Sequence, residues 1–249
     1  MLDAALWGLI ASSSLIVGAA LAFTVRVSDR GLGLVLAFGA GVLMSAVAYE
    51  LVAEALSDTG LAPIYALGFG LGSLTFFVGS VLLARLTESA AGSDADGRLS
   101  SRRSRRTQGM AIVLGTILDG IPESVVLGVS LIGAGAVSVP MLAAVFISNV
   151  PEAMGASADL ERGGVARARI VAMWGMVVLA SAAAAGLGYA LLSNAAPQMI
   201  GLVQMFAGGA IIAMLAESMV PEAYEKGGRP VGLATALGFA VAASLSITA

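Results

Sequence analysis

Eight apolar stretches, each about as long as a bilayer is thick, follow one another along this chain, and most are separated by only a few residues. A helix needs about 20 consecutive apolar residues to cross the hydrocarbon layer. The stretches cover residues 4–25, 33–56, 63–86, 109–132, 140–160, 168–193, 197–221 and 230–248. In lipid, only helices and closed barrels satisfy every backbone N–H and C=O internally, and runs of this length read as helices. The expected fold is therefore an all-α integral membrane protein with eight transmembrane helices, residues 1–249 forming one transmembrane domain. Hydrophobic residues make up 58% of the chain and charged residues 12%, more apolar surface than a water-soluble core can use. The opening "MLDAALWG" has no basic region and leads into a long apolar run. It is expected to start the first membrane helix and not to be a signal peptide.

The breaks "RVSDRG", "SDTGLAP", "GAGAVSVP", "DLERGGVARAR", "SNAAPQ" and "PEAYEKGGRP" are rich in Gly, Pro, Ser and charge. One connection is longer. Residues 87–108, "TESAAGSDADGRLSSRRSRRTQ", have no hydrophobic pattern and are expected to form a flexible, basic cytoplasmic loop.

The basic residues orient the chain. Arg26 and Arg30 fall in the first connection, and Arg85, Arg98, Arg102, Arg103, Arg105 and Arg106 at the third. Arg162, Arg167 and Arg169 fall in the fifth, Lys226 and Arg229 in the seventh, which completes the 13 basic residues. All lie on one side. Positive charge stays in the cytoplasm, so both termini are expected outside, in a multi-pass protein of the cell (cytoplasmic or inner) membrane. The Arg-rich third connection reads as part of this orientation signal, and no nucleic-acid partner is expected.

Against this apolar background stand acids. Glu50, Glu54, Asp119, Glu123, Glu152, Asp159 and Glu217 lie within or at the rims of spans, without a basic neighbour in the membrane, and Glu222 lies just beyond the inner end of the seventh. A bare carboxylate in hydrocarbon is costly, so such acids mark cation routes, proton relays or buried hydrogen-bonded pairs. A set of one sign, with no Arg or Lys to pair, points to a mobile positive partner. The chain has no Cys and no His, which excludes disulfides, thiolate metal sites and imidazole ligands.

Spacing sharpens the reading. Asp119 and Glu123 are four residues apart and project from one face of the fourth helix. Ser148 and Glu152 repeat that spacing on the fifth, with Asn149 beside them. Two antiparallel helices facing one another here supply several oxygen ligands to one ion. Pro122 and Pro151 each precede a mid-span Glu. Each removes a backbone donor, freeing the carbonyls of Leu118 and Ile147. The expectation is a pair of kinked or broken helices lining a cavity. Glu50 and Glu54 sit near the outer end of the second helix with Asp58 beyond, while Asp159, Glu217 and Glu222 lie toward the inner side. Together they outline a route from outside through the middle to the cytoplasm.

Two sequence pairs repeat. "FGAGVLMSAVAYELVAEAL" (Phe38 to Leu56) parallels "FAGGAIIAMLAESMVPEAY" (Phe206 to Tyr224), and "LDGIPES" parallels "ISNVPEA". The paired helices run in opposite senses. That is the pattern of an inverted repeat, grouped 3 + 2 + 3, with an ion site at the repeat interface.

At these residues the chain resembles the ZIP (Zrt/Irt-like protein) divalent-metal transporters, over nearly its whole length. Bacterial members commonly carry "HNxPEG" on helices 4 and 5. Here helix 4 reads Asp119-Gly120-Ile121-Pro122-Glu123-Ser124 and helix 5 reads Ser148-Asn149-Val150-Pro151-Glu152-Ala153. The resemblance implies that Glu123, Asn149 and Glu152 are metal ligands, with Asp119 and Ser148 where histidines are usual. It also implies uptake of a divalent metal ion of the Zn, Mn or Fe class by alternating access. The family's helix 6 Glu is missing from "MVVLASAAAAGLGYALL" (Met176 to Leu192), which argues against a paired-metal site. An all-oxygen set suits Mn²⁺, Mg²⁺ or Fe²⁺ at least as well as Zn²⁺. The alternative is a ZIP-fold protein with a degenerate metal site, acting as a carrier of protons or another cation or as a regulatory subunit. An intramembrane enzyme needs a nucleophile–base pair or two catalytic aspartates, and Asp119 is the one mid-span Asp, so no enzymatic activity or organic cofactor is expected. The expected partners are the metal ion and the bilayer. Gly39, Gly41, Gly68, Gly70 and Gly72 allow close helix contact, within one chain or between the copies of a homodimer.

Overall fold

The computed structural model describes residues 1–25, 28–57, 62–91, 100–134 and 137–248, and among them there is no strand. Helix α1 spans Leu2–Thr24. Helix α2 begins as Asp29–Ala46, passes through a π-helical segment Val47–Ala53 and ends in the turn Glu54–Ser57. Helices α3 (Ala62–Ala91), α4 (Ser100–Ala134), α5 (Val139–Arg162) and α6 (Arg167–Leu192) follow. Helix α7 mirrors α2 in build: Pro197–Met214, then a π-helical segment Leu215–Met219, then Val220–Gly227. Helix α8 is Val231–Thr248. Ser28 and Ser138 cap α2 and α5 by accepting from Gly31 N and Met141 N, both at 3.1 Å. Gly228, at φ +68°, reverses the chain between α7 and α8, a conformation glycine takes without strain.

Among the described residues, seven helices are long and apolar enough to cross a membrane: Leu2–Thr24, Asp29–Leu56, Pro63–Leu86, Leu114–Ile132, Val139–Arg162, Arg167–Leu192 and Pro197–Gly227. The expected eighth span corresponds to Val231–Ser246, which is apolar but shorter. The chain is an all-helical, multi-pass membrane protein on these grounds.

Two sequence expectations change. Helix α3 runs on to Ala91 and α4 starts at Ser100, so helix occupies much of the 87–108 segment expected as a flexible loop. Arg and Gln are good helix formers, and extending a helix already nucleated costs little. Residues 92–99 lie outside the described residues, as do Arg26, Asp58 and Arg98. The second change is that neither proline breaks its helix. Both α4 and α5 run through Pro122 and Pro151 without a break. A proline removes a single donor, and in a membrane bundle the rest of the ladder and neighbouring groups hold the helix together.

Glycines set the closest contacts. Gly41 of α2 lies against the Thr235 carbonyl of α8, and Gly238 of α8 against the Phe38 carbonyl of α2. In the same way Gly209 of α7 lies against the Phe69 carbonyl of α3, and Gly72 of α3 against the Phe206 carbonyl of α7. A Cβ at any of these four would collide with backbone, and small residues permit this approach between helices in lipid. Helix α1 fits between α5 and α6, with Gly18 on the Val150 carbonyl and Gly8 on Ala185. Gly128 brings α4 onto the Ala185 carbonyl of α6. Fully buried Trp174 of α6 donates its indole N–H to Ser157 of α5 at 2.8 Å. Helices α4 and α5 are thus held from one side by α1 and α6 and approached from the other by α2 and α7.

Candidate cation site

Asp119 and Glu123 stand one turn apart on α4, and Asn149 and Glu152 lie on α5. All four border one narrow space between α1, α4, α5 and α6, together with Ser12, Thr116, Ser124 and Ser181. Its volume is about 10 Å³, near the size of a single water or small ion. Thr116, Asp119 and Glu152 also border a second cavity of about 180 Å³ between α2, α4, α5 and α7. That cavity runs past Leu36, Met214 and Ser218 to Asp159 and Glu222. No Arg or Lys among the described residues borders either space.

The burial is deep. Glu123 is 3% exposed and Asn149 7%, and Thr116 hydrogen-bonds the Glu152 carboxylate. Asp119, Glu123 and Glu152 all border the same narrow space. Like charges gathered in low dielectric repel strongly, and a positive ion among them relieves that repulsion. Among the described residues, however, no three acidic side chains converge tightly enough to hold a metal ion by themselves. An ion placed in the narrow space would need oxygens beyond the carboxylates, and Thr116 and Asn149 border that space.

Ser148 stands apart. It is 1% exposed, donates to the Val145 carbonyl of its own helix at 3.1 Å and lies against Gly39 of α2. It borders neither space, so four of the five expected ligand residues border the narrow space and Ser148 does not. The i, i+4 spacing with Glu152 places the two on the same side of α5 only approximately. Ser148 is turned far enough to become the contact with α2.

The outlying acids are also placed differently from the expected route. Glu50 accepts from Ser138, which also caps α5. Glu54 accepts from Gln204 of α7 at 3.1 Å, and Glu217 accepts from Ser80 of α3 at 2.7 Å. None of the three borders either space. Glu50 and Glu217 fall inside the π-helical segments, and Glu54 directly follows one. One extra residue in a turn rotates all later side chains by roughly 100° relative to an uninterrupted α-helix. Face assignments made at α-helical spacing therefore fail beyond Val47 and Leu215.

Asp159 and Glu222 do line the larger cavity, but neither lacks a basic neighbour. Lys226 Nζ lies 2.6 Å from Glu222 Oε1, and Arg162 Nη1 lies 3.3 Å from Asp159 Oδ1. These are pairs four and three residues apart on one helix face. Sequence spacing alone contained that signal, as it did for Thr116, three residues before Asp119 and seven before Glu123. The cross-helix partners Ser80, Ser138 and Gln204 had no such local signal. No family model and no curated protein matches the chain.

Proposed function

We propose that this protein is an eight-span, ZIP-type transporter that carries a divalent cation of the Zn, Mn or Fe class into the cytoplasm, with both termini outside. The observation that carries the reading is the gathering of Asp119, Glu123, Glu152 and Asn149 around one ion-sized space with no cationic side chain on its walls. Alternating access assigns the larger cavity to the inward-facing route, because it continues from Asp119 and Glu152 to the helix ends that carry Arg162 and Lys226. The inner location of those ends rests on the distribution of basic residues.

The eighth span and the inverted repeat have their own support. The 18 residues of α8 rise about 27 Å, close to the hydrocarbon thickness. The contacts of Gly41 and Gly238 between α2 and α8 have counterparts in those of Gly209 and Gly72 between α7 and α3. The two π-helical segments start at matching places, Val47 following Phe38 at the same interval as Leu215 follows Phe206.

The test is uptake of Mn²⁺ and Zn²⁺ into proteoliposomes by the wild type, Glu123→Gln and Glu152→Gln. Both variants are expected to lose at least about tenfold in rate, the size of effect expected when a buried charged ligand is removed. Wild-type rates in both variants would end the site assignment. A second reading, a carrier of protons or another cation, or a regulatory subunit on the same fold, is favoured by the lack of three converging acids among the described residues. It expects proton flux, or none, in place of divalent uptake.

A further inference from the structure

An ion pair joins the linings of two cavities at the inner end of the bundle. Glu222 borders the cavity that leads to Asp119 and Glu152. Lys226, one turn further along α7, borders a neighbouring cavity of about 360 Å³ between α1, α2 and α5. The two side chains meet at 2.6 Å, with the lysine side chain 21% exposed and the glutamate 43%. The pair packs against Gly155 of α5, where a Cβ would stand at ordinary contact distance, 3.5 Å from Lys226 Nζ and 3.6 Å from Glu222 Oε1.

The lysine has somewhere else to go. Its own cavity is also lined by Asp29, Asp159 and Glu161. These acids are held at present by arginines: Arg162 reaches Asp159 at 3.3 Å and Asp29 at 3.9 Å, and Arg167 reaches Glu161 at 2.6 Å. The two Arg162 pairs, with side chains about half exposed or more, are weak and yield readily to another cation. A lysine is suited to such an exchange, since its ammonium is a compact charge on a flexible four-carbon stem.

Resting on the transporter reading for its direction, we propose that Lys226 is a tethered competitor for the transported cation at the inner mouth. Its ammonium occupies Glu222 when no ion is there. A divalent cation arriving from Glu152 displaces it toward the acids of the neighbouring cavity. When the ion leaves, the lysine returns and takes the carboxylate that would otherwise recapture the ion. The tethered charge thereby favours release over rebinding on that side.

The experiment is a Mn²⁺ titration of the purified full-length protein in nanodiscs, read by electron paramagnetic resonance, with wild type, Lys226→Gln, Lys226→Arg and the double variant Glu222→Gln/Lys226→Gln. Removing a partly exposed competing charge is expected to tighten Mn²⁺ binding at this mouth about two- to fivefold in Lys226→Gln. Lys226→Arg keeps the wild-type value, and the double variant loses the gain because the contested carboxylate is gone. Binding in Lys226→Gln equal to or weaker than wild type would overturn the proposal, as would a gain that persists in the double variant. Proteoliposome uptake separates the two claims. Tighter binding in Lys226→Gln with no wild-type uptake sinks the transporter reading and leaves the competition standing. Unchanged binding with normal uptake sinks the competition alone.

Discussion

Gly70 and Gly72 lie two residues apart on α3, and the same methyl group added to each is expected to have opposite consequences. At Gly70 a Cβ meets nothing within 4 Å. At Gly72 it runs into the Phe206 carbonyl of α7, with the carbonyl carbon at 2.7 Å and Cα at 3.0 Å, where ordinary contact begins at 3.4 Å. These are backbone atoms and cannot swing aside as a side chain would. The α3–α7 seam must therefore open by about 0.7 Å for the carbon alone, and a radial gap of that size forfeits roughly a quarter to a half of each contact along it. Overpacking of this kind costs about 1–3 kcal/mol. The gain in helix propensity from Gly to Ala offsets at most about 1 kcal/mol, and less where the separated helices remain helical in the membrane. Gly72→Ala is thus expected to destabilise by about 1–2 kcal/mol net and Gly70→Ala to lie between neutral and about 1 kcal/mol more stable. Reversible unfolding in mixed micelles, followed by circular dichroism across a series of denaturing-detergent fractions, measures both. Equal stabilities, or a Gly72→Ala protein at least as stable as wild type, would refute the claim that glycine-mediated backbone contact holds α3 to α7.

Two further outcomes follow from the site and the core. Asp119→His replaces a hard oxygen with an imidazole at the boundary of both spaces, so competition of divalent ions against one tracer is expected to shift toward Zn²⁺. An unchanged order would mean that Asp119 does not touch the ion. Trp174→Phe removes the N–H that Ser157 accepts at 2.8 Å, in a place where both residues are buried, and is expected to cost about 1–3 kcal/mol in the same unfolding assay. A cost within error of zero would show that the serine had found another partner.

The long apolar helices were legible because lipid imposes a one-dimensional requirement: a long apolar run wherever a chain crosses, whatever its neighbours are. Residues 63–86 of the sequence reading coincide with the candidate span Pro63–Leu86, and 109–132 ends with Leu114–Ile132. The gathering of acids at the candidate site was legible for a related reason. Carboxylates are expensive in hydrocarbon, so Asp119, Glu123 and Glu152 announce themselves, and α-helical spacing places the two on α4 on one face. Where the helix stays regular, as α4 and α5 do through their prolines, that inference carries into three dimensions.

What tertiary structure decided lies where helices meet or lose their regular period. Ser148 and Glu152 have the same local signal, yet one packs on Gly39 of α2 and the other lines the shared cavities, because a neighbouring backbone approaches the first. Glu50, Glu54 and Glu217 took partners from distant helices once the π-helical turns had rotated them, and no local pattern encodes a hydrogen bond to Ser138, Gln204 or Ser80. The amino-acid order alone marked which segments are long and apolar enough for a membrane and where buried charge has to be compensated, since both depend on each residue's own transfer cost. Which charge faces which neighbour depends on rotation about the helix axis, and only the packed bundle sets that angle.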